Sequence, residues 1–197
     1  MNKKNLKIGA GKTYIPGFIN VDISPEADIC LDLSKDILPF EDNSVDLVFS
    51  EHTLEHIPDY LFAISEIHRV LKHEGIFLMA VPYMTSTKNV ANPYHLHYFS
   101  ENSFDFFDPE SLKGSAVESN DIFFKKIYHK YFYSKLFKLI PYPINIFFKN
   151  YLINVVNEIE FGLIAIKKNQ DPVNYPKPKE LKNLYEEIKN KKIRYEK

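Results

Sequence analysis

The sequence has no tryptophan, a single cysteine and only two arginines, Arg69 and Arg194. A lone cysteine, Cys30, excludes an internal disulfide and a thiolate metal cluster. That usage suits a reducing compartment, and a cytoplasmic location is expected. So few arginines, beside an acidic first half, argue against a nucleic-acid partner. No apolar run reaches the ~18 residues that span a bilayer, so no transmembrane helix is expected. Met1 to Asn5 lead straight into Leu6-Lys7-Ile8 without an apolar leader, so no signal peptide is expected either.

The 197 residues, 45% apolar and 26% charged, have the composition of one globular domain with a full core. We expect that domain over residues 1–168, with an aromatic and basic insertion at 130–157, and a basic tail at 169–197. The tail carries Leu181, Leu184, Tyr185 and Ile188 at helical spacing. Charge is unevenly spread. Twelve carboxylates face one lysine, Lys35, between Asp22 and Glu66, whereas Phe123 to Leu152 holds six lysines and no carboxylate. An acidic half suits a small cationic ligand.

Short apolar runs mark strands at Leu6–Ile8, Phe18–Asp22, Ala27–Leu31, Val45–Phe49 and Ile76–Val81, bounded by turn residues such as Ser24-Pro25. Between the last two lies a helix that opens at Pro58-Asp59, repeats Leu61, Ile64, Ile67, His68 and Leu71, and stops at Gly75. A short helix capped by Ser100 through Phe107, a strand from Ile122 to Tyr128 and an alternating strand from Glu158 to Ile166 follow. Near-continuous apolar strands alternating with a helix predict a mostly parallel α/β sheet covered on both faces.

Gly9 and Gly11 follow the first strand, Asp22 ends the second and Asp32 ends the third. Strand C-termini are where open α/β sheets bind ligands. Glycines admit close backbone approach, and carboxylates there can accept from ribose hydroxyls or an adenine amine. The runs IGAG, GFINVDIS, CLDLSKDILPFEDNSVDLVFSEHTLEHI and EIHRVLKHEGIFLMAVP resemble the class I S-adenosylmethionine-dependent methyltransferases of the type-11 group. The resemblance runs from Leu6 to about Tyr83 and is strongest at Leu38–Asp46 and Leu54–Gly75. Beyond Pro82 it is limited to an H-x-H-x-F-S element at His95–Ser100 and a final strand.

The resemblance implies a Rossmann-like methyltransferase fold with an antiparallel final strand and S-adenosylmethionine as cofactor. It implies that Gly9, Ala10 and Gly11 run beneath the methionine part, that Asp22 holds the ribose and that Ile23 packs on the adenine. Asp32 and Leu33 would frame the adenine edge, and Ser50, Glu51 and His52 would face the sulfonium. The chain departs from the family in two spacings. Eleven positions separate Gly11 from Asp22 and ten separate Asp22 from Asp32, where a helix with its loops needs about 18 to 20. The first two crossover helices are therefore expected to be shortened or absent. One sheet face would be thinly covered, which favours a homodimer contact.

His52-Thr53-Leu54-Glu55-His56 also matches the H-x-x-E-H pattern of inverted zinc peptidases. That pattern needs both histidines on one helical face, and Pro58 starts the helix after the second, so no metal site is expected. For a hydroxyl acceptor the candidate base is His52, with His95 and His97 next on a loop after Asn92-Pro93-Tyr94. The expected function is methyl transfer to oxygen or nitrogen of a small-molecule or saccharide-like acceptor. The alternatives are a non-catalytic scaffold on the same fold and, remotely, a metallohydrolase on the HTLEH residues. The 130–157 insertion fits a lid, a dimer face or a peripheral contact with a membrane or lipid-linked substrate.

Overall fold

A computed structural model of the chain describes residues 3–108, 110–111, 121–168, 170 and 172–194. The expected strands form as β1 (Asn5–Ile8), β3 (Ile19–Asp22), β4 (Ile29–Cys30), β5 (Val45–Glu51), β6 (Leu71–Pro82), β7 (Phe123–Tyr133) and β8 (Val156–Ile166). They make one sheet in the order β4-β3-β1-β5-β6-β8-β7. Every pair from β4 to β6 is parallel, and β8 is antiparallel to both β6 and β7. The sheet therefore reverses chain direction only at its second-half edge, as the final-strand expectation requires. Two short strands, β2 (Thr13–Tyr14) and β9 (Ile193–Arg194), pair antiparallel apart from it.

Helix α1 (Tyr60–Val70) forms where the periodicity places it, and Asp59 caps it by accepting from the Phe62 amide at 2.9 Å. Its buried stripe is Ala63, Ile64, Ile67, His68 and Val70. Leu61, expected in that stripe, faces solvent although its spacing places it on the same side, at the start of the helix. No helix separates β1 from β3 or β3 from β4; turns and the two-residue β2 do, as the ten- and eleven-residue spacings predict.

The core lies on both faces of the sheet. One face packs α1 and Phe99, Phe104 and Phe107 onto Leu6, Val48, Phe77, Phe124 and Phe161. The other, made of Leu47, Phe49, Leu78, Ala80 and Ile164, receives Leu181, Tyr185 and Ile188 of helix α4 (Pro178–Asn190). That helix overturns the thin cover expected of this face and removes the reason it gave for a dimer contact.

Two further expectations are corrected. Ser100 starts a turn, not a helix: its amide donates to Ser103 Oγ, and a single 3₁₀ turn at Asp105–Phe107 follows. β7 runs on to Tyr133, because Lys130 to Tyr133 keep pairing with Glu160 to Val156. Within the expected insertion, α3 (Ile144–Tyr151) is pinned by Lys149, whose buried ammonium pairs with Glu101 and lies 5.1 Å from the Tyr131 ring. Between Ser86 and Ala91 the chain forms one further short helix, α2 (Thr87–Val90).

Candidate active site

The C-terminal ends of β1, β3, β4 and β5 open into a cavity of about 480 Å³. Gly9, Gly11, Asp22, Ile23, Asp32, Leu33 and His52 line it, together with Thr53, His56, Ile57 and Pro58. Its size falls within the ~300–1,000 Å³ range of small-molecule sites. A second cavity of about 220 Å³ lies next to it and shares His52. Its other walls are Pro82, Ser86, Lys88, Asn89, His95, Asn157 and Glu158.

The glycine turn is held from below. Lys7, 2% exposed, sends its ammonium under the turn to the carbonyls of Ala10, at 3.2 Å, and Thr13, at 2.8 Å. Burial, with Lys192 adding to it, lowers the Lys7 pKa to about 8. Gly9 and Gly11 take left-handed φ of +71° and +54°, as close backbone turns require. They differ in surroundings. A Cβ on Gly11 would meet nothing within 4 Å, so its backbone borders open cavity, whereas a Cβ on Gly9 would lie 1.8 Å from Thr53 Oγ1.

Asp22 ties two backbone segments together, accepting from the Gly11 amide at 2.8 Å and the Ser24 amide at 2.9 Å. A carboxylate has about four acceptor positions, so two remain for a ligand. Asp32 accepts from the Ser34 hydroxyl at 2.6 Å and its amide at 3.0 Å, and these bonds with Lys35 hold its pKa below the usual carboxylate range. Ile23 lies on the cavity wall with 71% of its surface exposed, an apolar platform at the rim.

Four expected residues lie elsewhere. Ala10 and Ser50 are 2% and 1% exposed and line neither cavity. Glu51 turns to the opposite face of the sheet, where Tyr185 donates to it at 3.0 Å and Lys192 pairs with it. Alternation along β5 explains this: successive side chains leave opposite faces, so Glu51 faces α4. His97 Nε2 donates to the Ile57 carbonyl, 2.8 Å away, beside the Tyr60 ring, and lines neither cavity.

His52 stands at the junction, with its backbone at φ +50° and its amide bonded to the Ala80 carbonyl. Its Nε2 lies 2.9 Å from Glu158 and its Nδ1 3.5 Å from Glu55. The Glu158 hydrogen bond, reinforced by Glu55 and opposed by partial burial, raises its pKa to about 10. The expectation of His52 as the base is thus corrected: both ring nitrogens face carboxylates, which favour the protonated ring and oppose its taking up a further proton. Glu158, which the sequence reading passed over, reaches the junction because Pro82 pairs with it across β6 and β8.

Residues 10–79 match a family model described as a methyltransferase domain. Over that stretch, about a third of its length, the chain is similar to the methyltransferase-domain family. It is 32% identical over 120 residues to an uncharacterized protein of Methanocaldococcus jannaschii, covering 59% of this chain and 46% of that protein. It is 32% identical over 107 residues to demethylmenaquinone methyltransferase of Staphylococcus epidermidis, covering 43% of this chain and 44% of that enzyme. The chain thus spans about half the length of these curated relatives. A SAM-dependent methyltransferase structure from Archaeoglobus fulgidus superposes with a TM-score of 0.53 at 16% identity, covering 82% of this chain and 86% of that one. That likeness establishes the shared fold.

Proposed function

We propose that this chain binds S-adenosylmethionine in the 480 Å³ cavity and transfers its methyl group to an acceptor seated in the adjoining 220 Å³ cavity. One observation carries the reading. Six of the residues that the family resemblance assigns to the cofactor, Gly9, Gly11, Asp22, Ile23, Asp32 and Leu33, converge on a single cavity at the strand C-termini. The open space beside Gly11 fits backbone approach to a ligand. Asp22 keeps acceptor positions for ribose hydroxyls, Ile23 offers an apolar surface to a base, and Asp32 with Leu33 frames its edge. The cofactor supplies a methyl group on a sulfonium.

The chain's own contribution is to position the reactants and exclude water. An in-line displacement gains much of its acceleration from such positioning. His52 and Glu158 stand where the two cavities meet, and His95 lines the acceptor side. The polar lining of that side, with Ser86, Lys88, Asn89 and Asn157, favours a small acceptor bearing hydroxyl or amine groups, saccharides included. The exposed Leu139, Tyr142, Phe147 and Tyr151 around α3 fit peripheral contact with a membrane or a lipid-linked acceptor.

Calorimetry with S-adenosylmethionine tests the binding half of this reading. The wild-type chain should bind one equivalent, and Asp22→Ala should weaken binding by about tenfold to a hundredfold, the worth of hydrogen bonds to a charged group. A folded wild-type chain that binds none refutes the proposal. Binding without methyl release to any hydroxyl or amine acceptor would favour the scaffold alternative, which the missing crossover helices make concrete.

A further inference from the structure

We propose that Glu55, His56 and His95 form a binding site for one divalent cation of the zinc class, at the boundary between the two cavities. One ligand atom from each residue lies within 4.8 Å of the other two. Glu55 sits in the 3₁₀ turn Leu54–His56, with its side chain 1% exposed. Neither of its carboxylate oxygens has a hydrogen-bond partner among the described residues. The ring nitrogens nearest to it are His52 Nδ1 at 3.5 Å and His56 Nε2 at 3.9 Å, both at or beyond the limit of a hydrogen bond. A buried carboxylate left in this state costs several kcal/mol of desolvation, which a bound cation would offset.

The two histidines are arranged as metal ligands usually are, each with its other ring nitrogen engaged by an oxygen. His56 Nδ1 lies 3.0 Å from the Tyr94 carbonyl, and His95 Nδ1 lies 2.6 Å from Asn89 Oδ1. Those oxygens take Nδ1–H as donor and leave each Nε2 with its lone pair. The rings meet edge-to-face with centroids 4.6 Å apart. The loop that brings His95 is fastened to Glu55 itself, whose carbonyl accepts from the Leu96 amide at 2.7 Å and the His97 amide at 3.3 Å. Two imidazoles and one carboxylate are a donor set for a borderline divalent ion with a coordination position left open. His56 lines the larger cavity and His95 the smaller, so an ion held here would meet an oxygen-bearing ligand between them. This site differs from the H-x-x-E-H pair: it replaces His52, whose nitrogens face Glu158 and Glu55, with His95 from a distant loop.

The test uses the full chain, stripped with chelator and dialysed against Zn²⁺ or Co²⁺ alone. Bound metal is counted by atomic emission, and Co²⁺ is also followed through its visible d–d absorption. We expect one equivalent in the wild type, at least a tenfold loss of affinity in Glu55→Gln and in His95→Ala, and an unchanged equivalent in His52→Ala. His95→Ala alters a part-exposed loop side chain, and near-ultraviolet circular dichroism checks that it stays folded. Absence of a stoichiometric ion in the wild type overturns the proposal. So does retention by His95→Ala with loss in His52→Ala, which would return the ion to the sequence motif. Metal content is read without cofactor or acceptor, so failure of the methyltransferase reading would leave this result standing.

Discussion

Gly9 and Gly11 share a sequence signal and a left-handed backbone, but they should fail differently when each is replaced by alanine. Left-handed φ costs a side-chain-bearing residue about 1–2 kcal/mol. Gly11→Ala should cost no more than that in stability, because its new methyl group would meet nothing within 4 Å. Gly9→Ala adds a collision with Thr53, whose Oγ1 would lie 1.8 Å and whose Cβ and Cγ2 2.6 Å from the new carbon. Overpacking of that kind costs about 1–3 kcal/mol, so Gly9→Ala should lose about 2–5 kcal/mol in all. The assay is urea unfolding of both variants, of Thr53→Gly, and of the double variant Gly9→Ala/Thr53→Gly. Thr53→Gly removes all three colliding atoms, so the double variant should recover the overpacking share and retain the strain. The cofactor arm runs the other way: Gly11→Val should abolish binding of S-adenosylmethionine while remaining folded. Equal stability of Gly9→Ala and Gly11→Ala, or additivity in the Gly9–Thr53 cycle, would refute the reasoning.

Two further outcomes follow from the packing. Tyr185 is fully buried, packs its ring at a tilt against Phe49 with centroids 5.2 Å apart and donates to Glu51. Tyr185→Ala should cost about 3–5 kcal/mol in chemical denaturation, and Tyr185→Phe about 1–2 for the lost hydrogen bond to a carboxylate; equal losses would mean that α4 does not close this face. For Glu101, burial alone would raise the pKa, but the Lys149 ammonium, a backbone amide and the Tyr83 hydroxyl outweigh it and hold the group at about 2. The unfolded chain then binds the extra proton between the ordinary value of 4.5 and about 2. The contribution is therefore complete above the former and lost as pH falls through the latter, up to about 2–3 kcal/mol at about 1.4 kcal/mol per pH unit. Glu101→Gln should flatten this part of the acid-unfolding curve, and an unaltered curve would count against the pairing.

The strands and α1 were legible because burial writes itself into the chain as apolar runs and as three- and four-residue spacing. Side-chain direction at strand ends was harder to read. Ser50, Glu51 and His52 are consecutive; alternation sends neighbours to opposite faces, but the packing partners decide which face each one meets. Glu51 is drawn to the far face by Tyr185 and Lys192, neither of which proximity in sequence could bring to it. Leu61 fits the helical spacing as well as Ile64 does, yet it is 59% exposed at the first turn of α1. The same limit hid the role of His95. His95 and His97 lie two apart on a loop outside any strand, and the docking of that loop on Glu55 takes one ring to Asn89 and the other to the Ile57 carbonyl.

The short crossovers connect these observations. A parallel sheet needs cover on both faces, and a chain that returns from β1 to β3 and from β3 to β4 through turns supplies no helix there. The apolar surface of Leu47, Phe49, Leu78 and Ala80 has to be closed by something else, and α4 closes it from the end of the described chain. That substitution reaches the cavity. With no helix following β1, the glycine turn cannot rest on a helix N-terminus, and Lys7 from beneath and Asp22 from the side hold it instead. Asp22 is thus both a strut of the turn and the residue proposed to meet the ribose. Its removal should cost affinity through a loosened turn as well as through lost ligand contacts, which is why binding and stability have to be measured on the same variant.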